Sequence, residues 1–82
     1  MKLLKFYAPW CNPCKNQAKV LETIDFPYPV VEINIDENTE TAIDYGVCTV
    51  PTLILVNAEG ETIERLSDSK ATKEQLVDQF IK

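Results

Sequence analysis

The stretch KLLKFYAPWCNPC, residues 2–14, decides the fold. Its first half, residues 2–7, is mostly apolar and predicts a β-strand, although the alternation is imperfect. From Asn12 to about Ile24 apolar residues recur at helical spacing, and Pro13 stands in the first turn, where its missing N–H costs nothing. The stretch therefore predicts a strand that runs directly into an amphipathic helix, with two cysteines at the junction.

A second strand and a short helix are predicted downstream. The sequence FPYP at residues 26–29 ends the first helix, because each proline biases its predecessor toward extended backbone. Residues 30–35 then predict a strand that pairs in parallel with the first through a right-handed crossover. Asn38 is a candidate cap for a short helix through Tyr45, and Gly46 suits the left-handed conformation that ends a helix.

The C-terminal part of the chain predicts a hairpin and a final helix. The continuous apolar run at residues 52–56 indicates a central strand, and a turn at residues 58–60 joins it to a second strand at residues 61–66. Thr72 and Gln75 form a capping-box pattern ahead of the apolar residues of the last helix. We therefore expect an α/β fold with the element order βαβαββα.

Length and composition limit the chain to one domain and exclude several function classes. The 82 residues, 45% of them hydrophobic, allow a single compact domain over residues 1–82. With 8 basic and 13 acidic residues the net charge is −5, which disfavours nucleic acid and anionic lipid as partners. No apolar run reaches the length of a signal peptide or a membrane span, so we expect a cytoplasmic protein with no membrane partner. We also expect a monomer.

The two cysteines at the junction, Cys11 and Cys14, are candidates for redox chemistry. Their three-residue spacing places both sulfurs on one side of the first helical turn, within reach of a disulfide. Free N–H groups and the helix dipole favour a thiolate at Cys11, which we also expect to be the exposed sulfur of the pair. Cys11 is therefore the predicted nucleophile, and Cys14 is the thiol that resolves the mixed disulfide.

Two other roles for the cysteine pair compete with redox chemistry. Zinc needs about four ligands, and the sequence has no histidine and only one further cysteine, Cys48, so no metal site is predicted. A purely structural disulfide at this spacing closes too small a loop to stabilise the fold much. Cys48 itself is either an inert small hydrophobe, the common fate of a free cysteine, or a regulatory thiol.

Four blocks of sequence, in this order along the chain, resemble the thioredoxin family: residues 6–14 (FYAPWCNPC), 34–36 (NID), 45–47 (YGV) and 50–53 (VPTL). The resemblance covers nearly the whole chain and implies a thioredoxin-like fold, with a four-stranded mixed sheet and three flanking helices. The family's additional N-terminal strand and helix have no counterpart here, so the chain resembles a short, minimal thioredoxin. Thr49-Val50-Pro51 is also similar to glutaredoxins.

The resemblance also implies particular site residues. Cys11 attacks, Cys14 resolves, and Trp10 flanks the nucleophile as a partly exposed platform. Pro51 would be a cis-proline whose loop lies against the disulfide, although the residues alone allow it simply to begin a strand. A cis bond there would turn the backbone of Val50 toward an extended substrate strand.

A chain that resembles this family is expected to reduce disulfides in proteins. A thioredoxin reductase or glutathione would reduce it again, and it would need no cofactor beyond its redox-active disulfide. Two alternatives stay open. One is a glutathione-dependent, glutaredoxin-like enzyme, although residues 57–60 (NAEG) stand where those proteins usually carry a glycine pair. The other is a noncatalytic, thioredoxin-fold binding subunit of a larger complex.

Several residues depart from the family pattern. Asn12 stands where thioredoxins usually have glycine, and Ser67 falls roughly at a glycine that lines the docking groove. Lys5 occupies the place of a buried strand aspartate and Glu32 that of its partner lysine, so the pair is exchanged. We expect the two side chains to form a partly buried ion pair, with Glu32 relaying protons from beneath Cys14. The alternative is that both are solvated at the sheet margin and take no part in the chemistry.

Overall fold

The protein follows the predicted element order βαβαββα in a computed structural model that describes residues 1–81. The strands among these residues are β1 (Lys2–Tyr7), β2 (Val30–Asn34), β3 (Thr52–Val56) and β4 (Thr62–Leu66). The helices are α1 (Asn12–Glu22), α2 (Thr39–Asp44) and α3 (Lys73–Phe80). The predicted α/β class is confirmed.

The strands form one mixed sheet in the order β2-β1-β3-β4. β1 pairs in parallel with β2 and antiparallel with β3, and β3 pairs antiparallel with β4. The register places Lys5 of β1 opposite Glu32 of β2, as the sequence predicts. β3 lies inside the sheet, and all of its residues are buried, which explains its continuous apolar sequence. The expected four-stranded mixed sheet is thus confirmed.

Alternate side chains of β1 enter two hydrophobic clusters, one on each face of the sheet. Leu3 joins the cluster that α1 and α3 cover, whereas Leu4 and Phe6 join the cluster that α2 covers. Lys5 alternates with Leu4 and Phe6, so its side chain faces α1, where it lines a cavity with Ala18. A charged side chain therefore stands on the α1 side of β1, among residues that otherwise build the core.

The loop between α1 and β2 is tied to the last helix. The Tyr28 hydroxyl donates a hydrogen bond to the backbone carbonyl of Phe80. Both residues belong to the cluster between α1, α3 and the sheet. Partial burial raises the pKa of the Tyr28 phenol above its ordinary value of 10.0, because burial penalises the charged form.

The first helix begins as predicted and ends two residues early. α1 starts at Asn12 with Pro13 in its first turn. It stops at Glu22 rather than Ile24, because the N–H groups of Thr23 and Ile24 bond to carbonyls three residues back, at 3.1 Å each. Such bonds tighten the last turn into 3₁₀ geometry.

Strands β2 and β4 are each one residue shorter than predicted. The Asn34 side chain accepts a hydrogen bond from the N–H of Asp36 at 2.9 Å, so the chain turns after Asn34 and β2 ends there. The Asn57 side chain likewise accepts from the N–H of Glu61 at 2.9 Å, and β4 begins at Thr62.

The predicted ends of the two later helices have different outcomes. Asn38 occupies the N-cap position of α2 but makes no side-chain bond to the helix, so that capping prediction is wrong. Its amide donates instead to the carbonyl of Asn34 at 3.0 Å. Gly46, after α2, has a φ of +66°, as predicted. Thr72 and Gln75 make both bonds of the capping box of α3, which confirms that prediction.

Candidate active site

The cysteine pair lies where the segment after β1 enters α1. Cys11 and Cys14 form a disulfide with their Cα atoms 5.3 Å apart, so the predicted pairing is confirmed. Cys11 is the N-cap of α1, and its Sγ accepts a hydrogen bond from the backbone N–H of Cys14 at 3.1 Å. The helix therefore directs a backbone donor, and the positive end of its dipole, at the sulfur of Cys11.

Both cysteines are buried. Cys11 is 4% exposed and Cys14 is 3% exposed, so the expectation that Cys11 is the exposed sulfur of the pair is wrong. The reason is packing: the pair lies against Ala8 in a small cluster that Tyr7 and Val50 partly cover. Because the two residues are buried almost equally, we expect a difference in their reactivity to come from their electrostatic surroundings.

The loop before β3 lies against the cysteine pair. The Val50–Pro51 peptide bond is cis, and Val50 packs on the cluster that contains both cysteines. The Thr52 hydroxyl anchors this loop by donating to the carbonyl of Thr49 at 2.7 Å. Ser67, at the expected glycine position, has its hydroxyl oxygen 3.4 Å from that of Thr52. The cis geometry and the position of the loop agree with the expectation drawn from the resemblance.

Trp10 is an exposed aromatic residue beside the disulfide. It is 67% exposed, in agreement with the expected platform, and its indole N–H donates to the Asp36 carboxylate at 3.1 Å. Asp36 is a site residue that sequence reasoning missed. Its one signal in the sequence is that it belongs to a block that resembles the thioredoxin family. The bond restrains the ring while most of the residue stays in solvent.

Lys5 and Glu32 form the expected ion pair, with very unequal burial. The Lys5 Nζ lies 3.2 Å from the Glu32 Oε1. The Lys5 side chain is 9% exposed, whereas the Glu32 side chain is 62% exposed. The alternative that both side chains are solvated at the sheet margin is therefore wrong for Lys5.

Two cavities meet at Lys5. One, of about 210 Å³, is lined by Lys5 and Cys14 together, and the other, of about 290 Å³, is lined by Lys5 and Glu32. Glu32 does not line the cavity that contains Cys14, so a proton relay from Cys14 to Glu32 stays a prediction. The member of the ion pair that shares a cavity with Cys14 is Lys5.

The loop that leads to Val50 contains Cys48, and Arg65 of β4 binds the residues just before it. Cys48 is a free, exposed thiol whose Sγ is 3.9 Å from the carbonyl oxygen of Gly46. The Arg65 guanidinium donates to the carbonyls of Tyr45 and Gly46, the latter at 2.7 Å. Arg65 carries no motif in the sequence, because its partners lie 20 and 19 residues earlier. The structure adds Arg65 as a tie between the end of α2 and β4, whereas a regulatory role for Cys48 stays a prediction.

Sulfur, imidazole and carboxylate groups are the side chains with which proteins usually bind transition metals. Within residues 1–81, no three side chains of His, Cys, Asp or Glu are grouped so as to hold a metal ion.

None of the helices in the described part of the chain has the length and apolarity needed to cross a lipid bilayer.

Comparison with known proteins places this site in a family. A family model described as Thioredoxin matches residues 1–82. The thioredoxin of Bacillus subtilis (strain 168) is 47% identical over 66 residues, which cover 76% of this chain and 62% of that protein. The thioredoxin of Porphyra purpurea is 34% identical over 85 residues, which cover 96% of this chain and 78% of that protein. The chain thus spans less than two thirds of the length of the Bacillus relative.

A solved structure shows the same backbone arrangement. Thioredoxin 1 from the thermophilic eubacterium Thermosipho africanus TCF52B matches with a TM-score of 0.81 at 26% identity, over 95% of this chain and 88% of that one. The sequence blocks, the family model, the relatives and the topology of the sheet all agree. The chain belongs to the thioredoxin family.

Proposed function

We propose that the chain is a dithiol–disulfide oxidoreductase that reduces disulfides in proteins. The observation that carries the proposal is the Cys11–Cys14 disulfide at the start of α1, where the N–H of Cys14 donates to the sulfur of Cys11. In its dithiol state, a pair that forms such a disulfide transfers two electrons to another disulfide. Membership of the thioredoxin family supports the same reaction.

Cys11 is the proposed nucleophile. In the reduced protein, the backbone donor and the helix dipole that reach its Sγ favour the thiolate. The thiolate attacks one sulfur of a substrate disulfide, so that a bond forms between Cys11 and the substrate while the substrate's own sulfur–sulfur bond breaks. The other substrate sulfur leaves as a thiolate and takes up a proton from water.

Cys14 is proposed to complete the transfer. It loses its proton and attacks the Sγ of Cys11, so that the Cys11–Cys14 bond forms and the bond to the substrate breaks. The second substrate sulfur leaves as a thiolate. The substrate has then gained two electrons, and the cysteine pair has lost two. Because the two cysteines lie within one helical turn, this step is intramolecular and fast compared with attack by a free thiol.

Trp10, Val50 and Pro51 are proposed to bind the substrate. Trp10 presents a largely exposed aromatic surface next to Cys11, and Val50 packs against the cysteine cluster. An extended substrate segment placed beside Val50 would pair with its backbone. Such pairing supplies affinity with little dependence on side chains, which suits a reductase that acts on many different proteins.

The oxidised cysteine pair has to be reduced again by an external donor. The proposed donor is a thioredoxin reductase or glutathione, acting in the cytoplasm, and no cofactor beyond the Cys11–Cys14 disulfide is required. The proposed substrates are disulfide-containing proteins, and the chain is proposed to act as a monomer. Its net charge of −5 argues against nucleic acid or an anionic membrane as a partner.

Insulin reduction by the purified protein tests the proposal. We expect activity with thioredoxin reductase as the electron donor, and loss of that activity in Cys11→Ser and in Cys14→Ser. Activity with glutathione alone would indicate a glutaredoxin-like enzyme. No activity, together with partner binding that survives in the double serine variant, would indicate a noncatalytic binding subunit. A reduction potential far more oxidising than the cytosolic glutathione poise, about −220 to −320 mV, would contradict the role of reductant.

A further inference from the structure

A buried cation lies near the resolving cysteine. Lys5 stands in the middle of β1, with 9% of its side chain exposed. Burial of an ammonium group is costly unless it has a partner. The partner, Glu32, has a side chain that is 62% exposed, so water screens the carboxylate far more than the ammonium. On the interior side of the ion pair, the positive charge of Lys5 therefore dominates.

Lys5 shares a cavity with Cys14. Lys5 and Cys14 line the same cavity, of about 210 Å³, together with residues of the first turns of α1. The Lys5 ammonium lies 5.8 Å from the centre of the Tyr7 ring. Tyr7 in turn lines that cavity and packs against the cluster that holds Cys14. The ammonium thus lies toward the end of β1 from which the cysteine pair follows.

The ionisable groups around this cavity are unbalanced in charge. Besides Cys14, those among the described lining residues are Lys5, Tyr7 and Lys15. The carboxylates of Glu32 and Glu22 line the neighbouring cavity instead, which Lys5 also lines. Cys11 is not among the residues that line the cavity of Cys14. Both charged groups among the described lining residues are cations, so we expect their field to act on Cys14 more than on Cys11.

We propose that Lys5 favours the thiolate form of Cys14 and thereby speeds the resolution of the mixed disulfide. The inference rests on the oxidoreductase function proposed above and adds a positioning residue to it. Lys5 acts through the ionisation of Cys14 and itself exchanges neither electrons nor protons.

The proton of Cys14 needs another destination, because a charged ammonium cannot accept it. It leaves to solvent, and the resulting thiolate attacks the Sγ of Cys11 while the substrate sulfur departs as a thiolate. The same field stabilises Cys14 as the leaving group when the disulfide is reduced again. A relay through Glu32 is the opposite assignment, since a carboxylate would then accept the proton.

Release of thionitrobenzoate from the aromatic disulfide DTNB separates the two steps in time. Attack by Cys11 releases the first equivalent, and attack by Cys14 on the mixed disulfide releases the second. A Cys48→Ser background removes the third thiol from the measurement. Lys5→Met removes the buried charge with little change in side-chain length. Lys15→Met is the matched control, because it removes a charge from an exposed residue that lines the same cavity.

Lys5→Met is expected to slow the second phase about threefold near neutral pH and to leave the first phase unchanged. The reason is that the fraction of Cys14 present as thiolate falls about tenfold, while the nucleophilicity of that thiolate rises about threefold. At high pH, where Cys14 is ionised in both proteins, Lys5→Met is expected to be the faster, so the two pH–rate curves cross. Lys5→Arg should restore the parent profile. Lys15→Met should change either phase by less than about twofold, since exposed charges are screened.

Glu32→Gln separates the effect of charge from a proton relay. Made in the Lys5→Arg background, where the guanidinium stays charged without its carboxylate partner, Glu32→Gln is expected to leave the second phase as fast as in Lys5→Arg or faster, whereas a slower second phase would overturn the proposal in favour of the relay. Identical pH–rate curves for Lys5→Met and the parent would also overturn it. Because Glu32 is largely exposed, its variant decides the question even if Lys5→Met does not fold. Absence of the first phase in the parent would instead refute the proposed oxidoreductase function.

Discussion

The two cysteines of the site are almost equally buried, at 4% and 3% exposed, yet their surroundings differ in kind. Cys11 caps α1 and accepts a backbone hydrogen bond from the residue three positions further on. Cys14 lies inside the first turn and shares a cavity with Lys5, which belongs to β1. A backbone donor of the helix reaches the first sulfur, whereas a charged side chain from another element shares a cavity with the second cysteine.

Exposure therefore does not distinguish the two cysteines of this site. The backbone donor that we propose to stabilise a thiolate at Cys11 belongs to the helix itself, so it is present wherever this segment is helical. The support that we propose for Cys14 requires α1 to pack over β1, because Lys5 belongs to β1. Changes at the two places should therefore separate attack on the substrate from resolution of the mixed disulfide.

The largest expected effect comes from removing each cysteine in turn. Cys14→Ser should abolish turnover and leave partner proteins bound to Cys11 as stable mixed disulfides, since no thiol remains to resolve them. Cys11→Ser should abolish turnover and trap nothing. In the reduced wild-type protein, mass spectrometry after brief alkylation should show Cys11 modified faster than Cys14 near neutral pH. Trapping by Cys11→Ser would mean that the two roles are reversed.

The next effect concerns the loop that carries Val50 onto the cysteine cluster. Arg65→Ala removes hydrogen bonds to two carbonyls at the end of α2, and we expect it to lower the free energy of unfolding by about 1 kcal/mol. A looser loop should raise KM for a protein disulfide more than it slows resolution at Cys14, because Val50 is proposed to bind the substrate, whereas Cys14 attacks a sulfur within its own helical turn.

Urea unfolding and steady-state kinetics measure these two consequences of Arg65→Ala. Arg65→Lys, which keeps the charge but loses the paired donors, is the control and should fall between the wild type and Arg65→Ala. An unchanged unfolding midpoint for Arg65→Ala would show that the two bonds add nothing to stability.

A smaller effect concerns the stability of the fold at high pH, which limits the pH range over which the two cysteines can be compared. Partial burial raises the pKa of the Tyr28 phenol, so the folded protein favours its neutral form, which donates to the carbonyl of Phe80. This contribution to stability is complete below pH 10.0, the ordinary value, and is lost as the pH rises through the raised value of the folded state.

Urea unfolding at a series of pH values, for the wild type and for Tyr28→Phe, measures this loss. Above about pH 10 the wild type should lose stability relative to Tyr28→Phe, whose ring does not ionise. If both proteins depend on pH in the same way throughout, the Tyr28 phenol is not responsible.

The smallest expected effect is that of Cys48. Its thiol is exposed and lies outside the cluster of Cys11 and Cys14, so Cys48→Ser should change the rate of insulin reduction by less than about twofold. Loss of most activity would show that this thiol takes part in turnover. If the variant keeps its rate and gains resistance to inactivation by glutathione disulfide, Cys48 is a regulatory thiol.

Sequence reasoning succeeds here where neighbours in the chain decide the structure. The cysteine pair at the start of α1 and the capping box of Thr72 and Gln75 each involve residues within a single helical turn. It fails where distant groups compete for the same atoms. Asn38 has a residue type that is common at N-caps, yet its side-chain amide donates a hydrogen bond to the carbonyl of Asn34 instead. Cys11 stands in a loop motif, yet packing from the segment before β3 covers it.

The sequence alone determined the order of the elements, the spacing of the redox pair and the resemblance to thioredoxins, because periodicity and short motifs are local properties. Only the tertiary structure decided that Trp10 meets Asp36, 26 residues away, and that Lys5 rather than Glu32 shares a cavity with Cys14. Because β1 and β2 pair in parallel, the sequence could predict that Lys5 and Glu32 are neighbours. Which of the two is buried depends on the helix packed over the sheet, and the hydrophobic periodicity of the sequence does not reveal that packing.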